Sequence, residues 1–425
     1  MIMALIAQVG NTALVSGNNN TTLNFSVAPR IVILLGNRQI STGYTPDASI
    51  TLGYGDGTLV GTNSAQEIDN QSVDCNSLVA GWGFAGQVHC NEQVQTGNHL
   101  WWQYNGLTFN PTSATMVIGS TPFPGASLIN FLVLSSGTSN SITNLASQNF
   151  NINTALGIQQ ITTVGFKPDI VLFFWGSWIA GQGANTAMSF GCGAAVASGT
   201  GNQWAIGTAG QGPTNSTHKT TQRTDRCISI GNLTQVDTDA SFVSMDALGF
   251  TITIQTAGGR ASVPVGWIAM KGAQFKVGSF NKNTGLAPVS DHINLGFAPK
   301  AAFLASHGTV TSTALQNDST LSFGIADGVN QANIWVGMKH GVATAGAHSR
   351  HLTNKTITIA SGTTAGVTPT TIAEADISFS NTGMNVNWTT NDATPDEILY
   401  WVVGNAVGPA QAAVILQAVK RAKFW

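Results

Sequence analysis

The chain has 425 residues and a formal net charge of -2, and 8% of its residues are charged, compared with about a quarter in ordinary soluble domains. Hydrophobic residues make up 43% of the sequence, which excludes intrinsic disorder because disordered chains are charged and poor in apolar residues. The basic residues form no stripe that would bind nucleic acid. A polar surface with so little charge instead favours contact with other subunits, because few charges must be desolvated on assembly.

The N-terminal segment 1–9 is apolar but short, and it lacks the basic start of a secretory signal. No stretch reaches the roughly 18 consecutive apolar residues that a membrane-spanning helix needs. We therefore expect neither export through a signal peptide nor a membrane span.

Four landmarks recur in the same order and predict three domain-sized repeats. The first landmark is a turn with a proline (Pro29, Pro168 or Pro299) that leads into an apolar strand. The other three are a strand that ends in glycine (49–57, 188–193, 321–328), a strand that begins with glycine (106–109, 249–252, 383–388) and a closing apolar strand (129–134, 265–270, 398–403). The predicted repeats span 1–137, 138–272 and 273–405, followed by a tail at 406–425.

The pattern within each repeat predicts an all-β fold. Segments such as 250–254 and 356–359 alternate apolar residues with threonine, as half-buried antiparallel strands do. The run Ile170–Trp175 does not alternate and is predicted to be a central strand buried on both faces. We expect three tandem, related antiparallel β-sandwich domains of jelly-roll-like form and a short C-terminal helix.

The middle of each repeat is its least apolar part, at 63–98, 199–224 and 343–371. These segments are rich in Gly, Thr, Ser, Asn and Gln and are predicted to be long surface loops, where contact specificity usually resides. They also differ most between the repeats. The sequence therefore favours one scaffold that carries three different contact surfaces.

The tail contains the one good helix signal, from Pro409 to Ala422. Proline suits the first turn, alanine dominates the interior, and Lys420 and Arg421 fall in the last turn, where they offset the helix dipole. Ile415 and Val419 share its apolar face. The sequence leaves open whether this face packs on the third domain or on a neighbouring subunit.

Histidines are densest at His340, His348 and His351. Their Gly/Ala/Thr-rich context, without a nearby carboxylate, predicts hydrogen bonding rather than a metal site. Asp56-Gly57 and Asp327-Gly328 predict hairpin turns rather than calcium ligands. No metal or cofactor is predicted.

No Gly-x-Ser-x-Gly elbow is present. A glycosidase would need two carboxylates across a cleft, and the acidic pairs Asp237/Asp239, Glu374/Asp376 and Asp396/Glu397 lie in strand-edge phrases instead. The apparent recurrence of Asp239 as Asp376 favours a scaffold role. We predict no catalytic residue.

The cysteines form no Cys-x-x-Cys motif. Two fall in the first repeat and two in the second, which leaves open the disulfides Cys75–Cys90 and Cys192–Cys227. The alternative is four small buried hydrophobic residues in a chain that folds in a reducing compartment.

Four tryptophans, Trp82, Trp101, Trp102 and Trp204, are expected to be exposed. In a chain with so few charges, exposed tryptophans favour packing between subunits over sugar binding. The predicted partner contacts are Trp82, Trp101, Trp102, Trp204, His348, His351, Ile415, Val419 and Trp425.

Taken together, the segments 296–304, 321–328, 383–388 and 398–403 resemble repeats in structural proteins of tailed bacteriophage virions. The first repeat departs from this pattern, because Val27-Ala28 precedes Pro29 and no Gly-Phe pair stands before that proline. The resemblance implies a protein without catalytic residues or cofactors, made in the host cytoplasm and incorporated into the virion. The expected role is a capsid decoration or cement protein, homo-oligomeric or lattice-bound, that bridges the major capsid protein without binding nucleic acid or membrane.

Two alternatives stay open at this point. A tail fibre, collar or baseplate component would contact a host receptor or sugar through the tryptophan-bearing loops. A secreted bacterial adhesin is disfavoured by the missing signal peptide.

Overall fold

The structure is a computed structural model that describes residues 5–14, 21–37, 42–44, 47–48, 51–55, 65–69, 72–74, 79–80, 83–85, 89–94, 99–118, 127–135, 142–176, 187–211, 218–258, 263–310, 314–341, 348–361 and 367–406. These residues form 34 β-strands and no helix, so the predicted all-β class is confirmed for them. None of the described segments is a helix that could span a membrane. The predicted helix at 409–422 lies outside the described residues.

The first repeat forms a six-stranded, a four-stranded and a small three-stranded sheet. Its strands are β1 (Ile6–Leu14), β2 (Thr21–Asn24), β3 (Ile31–Asn37), β4 (Asp47–Ala48), β5 (Thr51–Gly55), β6 (Ala65–Asp69), β7 (Ser72–Asp74), β8 (Val79–Ala80), β9 (Gly83–Ala85), β10 (His89–Val94), β11 (His99–Asn110), β12 (Ser113–Ile118) and β13 (Ser127–Ser135). The sheet orders are β1-β13-β3-β5-β6-β9, β10-β11-β12-β2 and β4-β7-β8.

The second repeat forms a larger and a smaller sheet. Its strands are β14 (Asn144–Asn151), β15 (Gly157–Ile161), β16 (Ile170–Gly176), β17 (Ala187–Ala195), β18 (Gln203–Gln211), β19 (His218–Arg223), β20 (Ile228–Gly231), β21 (Val236–Asp246), β22 (Gly249–Ala257) and β23 (Pro264–Lys271).

The third repeat is built in the same way. Its strands are β24 (Gln274–Asn281), β25 (Val289–Asn294), β26 (Pro299–Ser306), β27 (Gln316–Asn317), β28 (Ser319–Ala326), β29 (Gln331–Met338), β30 (His348–Leu352), β31 (Ile357–Ala360), β32 (Thr371–Phe379), β33 (Gly383–Thr390) and β34 (Glu397–Gly404). The sheet orders are β14-β23-β16-β17-β18-β19-β27 and β15-β22-β21-β20 in the second repeat, and β24-β34-β26-β28-β29-β30 and β25-β33-β32-β31 in the third.

One strand order is therefore used three times. In each large sheet the first strand pairs with the closing strand, the closing strand pairs with the proline-led strand, and a meander follows. This order differs from the predicted jelly-roll-like form, because the strands from β16 to β19 follow one another within one sheet rather than alternating between two. The strand β27 departs from the pattern, since it joins the large sheet of the preceding repeat through Lys219 and Thr220.

The position of the proline-led strands between two apolar clusters explains why their sequences are unbroken apolar runs. In β16, Ile170, Leu172 and Phe174 face a cluster shared with the other repeats, whereas Val171 and Phe173 face a cluster within the second repeat. The strands β3 and β26 divide their side chains in the same way. Because successive side chains point to opposite faces, a strand covered on both sides needs apolar residues throughout, and the predicted burial on both faces is confirmed.

The prediction of long surface loops is wrong where the structure describes them. The segment 199–224 contains β18 and β19, the segment 343–371 contains β30 and β31, and the segment 63–98 contains strands from β6 to β10. In β19 the polar residues Thr220 and Gln222 are buried, because their side chains hydrogen-bond to backbone oxygens of the third repeat.

Two predicted equivalences between repeats are also corrected. Gly106 lies within β11, whereas Gly249 and Gly383 begin β22 and β33, so the counterpart of those strands in the sheet order is β12. In addition, Ala240 pairs with the first residue of β20 and Ala375 with the first residue of β31. The residues before these alanines are Asp239 and Glu374. The predicted match of Asp239 with Asp376 is thus two residues out of register.

A pair of glutamines supports this alignment. Gln203 begins its strand and accepts a hydrogen bond of 2.7 Å from the backbone of Phe242. Gln331 begins the corresponding strand and accepts one of 2.9 Å from the backbone of Ile377. Both acceptors join a large sheet to its small sheet, and both donors lie two residues after the aligned alanines.

Candidate functional site at the junction of the three repeats

The inner faces of the three large sheets bury one apolar cluster that draws on all three repeats. Among its members are Ile33 and Leu35 of the first repeat, Leu172 and Phe174 of the second, and Phe303, Ala305 and Trp401 of the third. Each repeat has a further cluster between its own large and small sheets. The repeats therefore pack around a common centre and do not form a string of separate units.

A stack of three aromatic rings crosses this centre. Trp204 of the second repeat lies 6.3 Å from Phe303 of the third at an interplanar angle of 8°, and Phe303 lies 5.8 Å from Trp401 at 7°. The indole N–H of Trp204 donates a hydrogen bond of 2.8 Å to the backbone oxygen of Tyr400. The expected exposure of Trp204 is wrong, because the residue is 1% exposed. Residues of the third repeat pack against its ring and accept the hydrogen bond of its N–H group.

Gln222 joins the second repeat to the third through both ends of its amide. Its Nε2 donates to the backbone oxygen of Glu397 at 2.9 Å, and its Oε1 accepts from the backbone N–H of His307 at 2.7 Å. The imidazole of His307 in turn contacts Thr320, with its Nδ1 2.7 Å from the hydroxyl oxygen. Burial lowers the pKa of His307, so this network holds a neutral imidazole.

A second histidine contact lies at the same boundary. The backbone N–H of His218 donates to Nδ1 of His340 at 3.2 Å, and the backbone N–H of His340 donates to Asp318. Burial and, to a smaller extent, the nearby His340 lower the pKa of His218 to about 4, although Asp318 opposes the shift. The imidazole of His218 is therefore neutral at physiological pH.

The first and third repeats meet through His351, whose Nε2 lies 2.8 Å from Oδ1 of Asn130. Burial lowers the pKa of His351 to about 4. His348 and His351 are both buried. Their predicted role as contacts for another protein is therefore corrected, because β30 carries them into the interior of this chain.

Arg350, between these histidines, forms a polar contact with the first repeat. Its guanidinium lies 4.9 Å from the ring centroid of Tyr44 and donates to the backbone oxygen of Thr42 at 2.8 Å. It also forms an ion pair with Glu374. The hydroxyl group of Tyr44 lies 2.7 Å from that of Thr371, so the segment 42–44 is held against the third repeat from two sides.

The first strand is tied to the third repeat by backbone donors. The N–H of Val9 donates to Oδ2 of Asp327 at 2.7 Å, and that of Leu5 donates to Asn405 at 2.8 Å. The other carboxylate oxygen of Asp327 accepts from Val329 and Asn330, which close the hairpin between β28 and β29. The predicted hairpin turn at Asp327-Gly328 is confirmed, and the same side chain has a second role at the boundary.

The acidic pair Asp237/Asp239 forms an ion pair and hydrogen bonds within the second repeat. Oδ2 of Asp239 lies 3.0 Å from Nη1 of Arg223, and Asp237 accepts a hydrogen bond of 2.6 Å from Asn232. Arg223 also pairs with Asp225 at 2.9 Å. Burial raises the pKa of Asp239 while the two arginines oppose that shift. The ion pair of Arg223 and Asp239 joins β19 to β21.

Cys192 and Cys227 are free and buried. The predicted alternative of a disulfide between them is therefore wrong, and burial raises the pKa of both thiols. Cys75 lies outside the described residues, and nothing is described of the Cys90 side chain. Within the described part of the chain, no group of three or more His, Cys, Asp or Glu residues is arranged to hold a metal ion.

Of the remaining residues predicted to contact a partner, only two lie in the described part of the chain. Trp101 and Trp102 lie in β11, and their side chains are not among the described ones. Trp82, Ile415, Val419 and Trp425 lie outside the described residues.

Sequence reasoning missed a pair of exposed leucines. Leu156 is 67% exposed and Leu286 is 89% exposed. They occupy matching places in the phrases Phe150-Asn151 to Leu156 and Phe280-Asn281 to Leu286. The recurring phrase marks the two positions as equivalent, but it does not reveal that their side chains face solvent.

No protein-family model matches the sequence, and no curated protein is significantly similar to it.

Proposed function

We propose that the chain is a non-enzymatic structural protein of a bacteriophage virion, and that it decorates the capsid. In this proposal each pair of sheets is a β-sandwich domain, and the three domains form a pseudo-trimer within one chain. The observation that supports it best is the single apolar cluster built from the inner faces of all three large sheets. Such a body presents three related outer surfaces at fixed spacing.

Fixed spacing matters for binding to a lattice. Three domains on flexible linkers would lose orientational freedom when they bind, whereas a preorganised body avoids much of that cost. Weak contacts on one rigid body also reinforce one another through a high effective concentration. A threefold-related group of major capsid subunits is the partner that this arrangement fits best.

The outer surface offers candidate contacts. Leu156 and Leu286 precede β15 and β25, which are the edge strands of the small sheets. Exposed apolar side chains at equivalent places in two repeats suit equivalent pockets on neighbouring capsid subunits. We propose these leucines as anchors in place of the buried Trp204, His348 and His351.

The deciding experiment measures the number of copies per virion by quantitative mass spectrometry and compares particles with and without the protein. A decoration protein should be present in many copies, and its loss should lower the thermal stability of the capsid without lowering adsorption to cells. Few copies, together with inhibition of adsorption by added protein, would identify a tail component instead. If the protein were absent from purified particles, both virion roles would be refuted.

The anchor residues are tested by binding of variants to particles that lack the protein. Leu156→Ser and Leu286→Ser should each weaken binding at least tenfold, which corresponds to about 1.4 kcal/mol. Val329→Ser is the matched control, because Val329 is 88% exposed but lies in a hairpin turn of the large sheet. Equal loss of binding in all three variants would contradict the assignment.

A further inference from the structure

A lysine is buried in the third repeat at a place where the second repeat has an apolar residue. Lys282 directly follows β24, and its side chain is 0% exposed. The phrase Phe280-Asn281-Lys282 corresponds to Phe150-Asn151-Ile152. An ammonium group is costly to bury and must be paired, so its presence here requires an explanation beyond packing.

The side chain of Lys282 meets an amide and a carboxylate in the connection between β33 and β34. Its Nζ donates to Oδ1 of Asn391 at 2.8 Å, to Oδ1 of Asp392 at 2.7 Å and to the backbone oxygen of Asp392 at 2.9 Å. The ring centroid of Trp388 lies 5.7 Å from the same nitrogen. The amine is therefore enclosed and held against the Asn391 amide.

The orientation of the Asn391 amide is fixed by backbone acceptors. Its Nδ2 donates to the oxygen of Asn283 at 2.8 Å and to that of Gly285 at 2.7 Å. These two bonds assign Oδ1 to the side that faces Lys282. The amide cannot rotate away without losing both bonds, which keeps its carbonyl group beside the amine.

A third residue, Asp396, contacts Lys282 through the backbone. Asp396 is buried, and its backbone oxygen accepts a hydrogen bond of 2.8 Å from the backbone N–H of Lys282. Burial, with a smaller contribution from Asp392, raises the pKa of the Asp396 carboxyl group to about 6, although Lys282 opposes the shift. A carboxyl group with such a pKa can both accept and donate a proton near neutral pH. Asp291 instead accepts hydrogen bonds from the Trp388 indole and the Asn283 backbone.

We propose that Lys282 and Asn391 join in an intramolecular isopeptide bond. In this reaction Asp396 takes a proton from the Lys282 ammonium group, and the neutral Nζ attacks Cγ of Asn391. A second Nζ proton moves to Nδ2, the bond between Cγ and Nδ2 breaks, and the nitrogen leaves with the proton held by Asp396. One amide replaces another, an ammonium ion is released, and no oxidant or cofactor is needed.

The cluster meets the requirements of this reaction more fully than those of a plain ion pair. Amide exchange is slow between free molecules, but holding the reactants in contact can supply effective concentrations of roughly 10⁵ M or more. Asp392 alone would satisfy the charge of Lys282. The fixed amide of Asn391 and the buried carboxyl group of Asp396 are additional, and each has a role in the exchange.

The bond would close the third repeat. Lys282 follows the first strand of this repeat, and Asn391 precedes its closing strand, which pairs with the first through Asn281 and Glu397. The cross-link would enclose the strands from β25 to β33 in a covalent loop. This inference does not depend on the proposed capsid role.

The test is the intact mass of the purified full chain and the sequence of its tryptic peptides. The expected mass is one ammonia below that calculated from the sequence, with a branched peptide joined at Lys282 and Asn391. An unchanged mass in fully folded protein would overturn the proposal. Loss of water with a branch at Asp392 would overturn it as well.

Variants separate the cross-link from cyclisation of Asn391 alone, which also loses ammonia. Lys282→Ile, which introduces the residue found at position 152, and Asn391→Ala should both show the full mass. Lys276→Met is the matched control, since Lys276 lies on the same β24 with its exposed Nζ on the Asn294 backbone, and it should keep the deficit. A deficit that persists in Lys282→Ile would refute the proposal.

The role of Asp396 is tested by Asp396→Asn, with circular dichroism to verify folding. This variant should fold and show the full mass, because the proposed proton carrier is lost. A folded variant that still forms the branched peptide would exclude Asp396 as the proton carrier.

Discussion

At the scale of single residues, glycine recurs at one register position for a steric reason. Gly53, Gly193 and Gly324 pair with Leu34, Phe173 and Leu304 on the proline-led strands. A Cβ atom on Gly193 would collide with the backbone oxygen of Cys227, and one on Gly324 with that of Thr356. These oxygens lie just before β20 and β31, the outermost strands of the small sheets in the second and third repeats. The two sheets therefore approach so closely here that only glycine fits.

The collision leads to a prediction for Gly193→Ala. We expect it to lower the free energy of unfolding by about 3 kcal/mol or more, because a backbone oxygen cannot move aside as a side chain can. Gly231→Ala is the control, since its new methyl group would meet only side-chain carbons of Leu315 and Thr221 at 3.1 and 3.5 Å, and it should cost less than about 1 kcal/mol. Urea denaturation measures both, and equal losses would contradict the steric explanation.

The buried histidines predict a loss of stability in acid. His218 and His351 have folded-state pKa values of about 4, against an ordinary value of 6.5, so the unfolded chain binds protons first. The free energy of unfolding should thus not change with pH above 6.5. It should decrease by about 3 kcal/mol per histidine as the pH drops from 6.5 to 4. Asp396 acts in the opposite sense, because its folded-state pKa of about 6 exceeds the ordinary 3.8.

Urea denaturation at pH 7 and pH 4 measures this effect. His351→Gln should reduce the difference between the two pH values, since glutamine can still donate to Asn130 but does not titrate. His292→Gln, which alters an exposed histidine, should leave the difference unchanged. If His351→Gln left it unchanged as well, burial of a neutral imidazole would not be the cause.

At the scale of elements, sequence patterns predict the strands that carry the repeats and miss those that join them. The apolar runs of β3, β16 and β26 are visible because both of their faces are buried. The strand β19 reads as a loop because His218, Thr220 and Gln222 are polar, and their partners lie in the third repeat. The sequence pattern of one repeat does not reveal the hydrogen-bond partners that a different repeat supplies. For the same reason Trp204 is predicted to be exposed.

The bridge made by β19 predicts the effect of Gln222→Met. Methionine fills a similar volume but leaves the buried N–H of His307 without its acceptor, which should cost about 2 kcal/mol. Gln255→Met is the control, because Gln255 makes only an exposed contact with Ser241 and should change stability by less than about 0.5 kcal/mol. Chemical denaturation followed by tryptophan fluorescence measures both. A neutral Gln222→Met would show that the bridge contributes nothing to the junction.

At the scale of the whole molecule, the unbroken apolar runs indicate more than a two-layer sandwich. A central strand of such a sandwich buries one face and exposes the other to solvent. Because Leu172 and Val171 are both fully buried, the face of the large sheet that points away from its own small sheet must also be covered, and the other two repeats cover it. The sequence thus contains a sign of the common centre, but it does not identify which surfaces meet there.

A common centre also predicts how the chain unfolds. If the repeats were independent, Phe250→Ala, in the cluster confined to the second repeat, would lower the melting temperature of that repeat alone. The shared cluster, however, is intact only when all three repeats are folded. Unfolding of one repeat therefore exposes the inner faces of the other two to water. We therefore expect a single calorimetric transition in the wild type, moved as a whole to lower temperature by Phe250→Ala and by Phe303→Ala in the shared cluster. An early transition of the second repeat, with the remainder melting at the wild-type temperature, would show that the repeats are energetically separate.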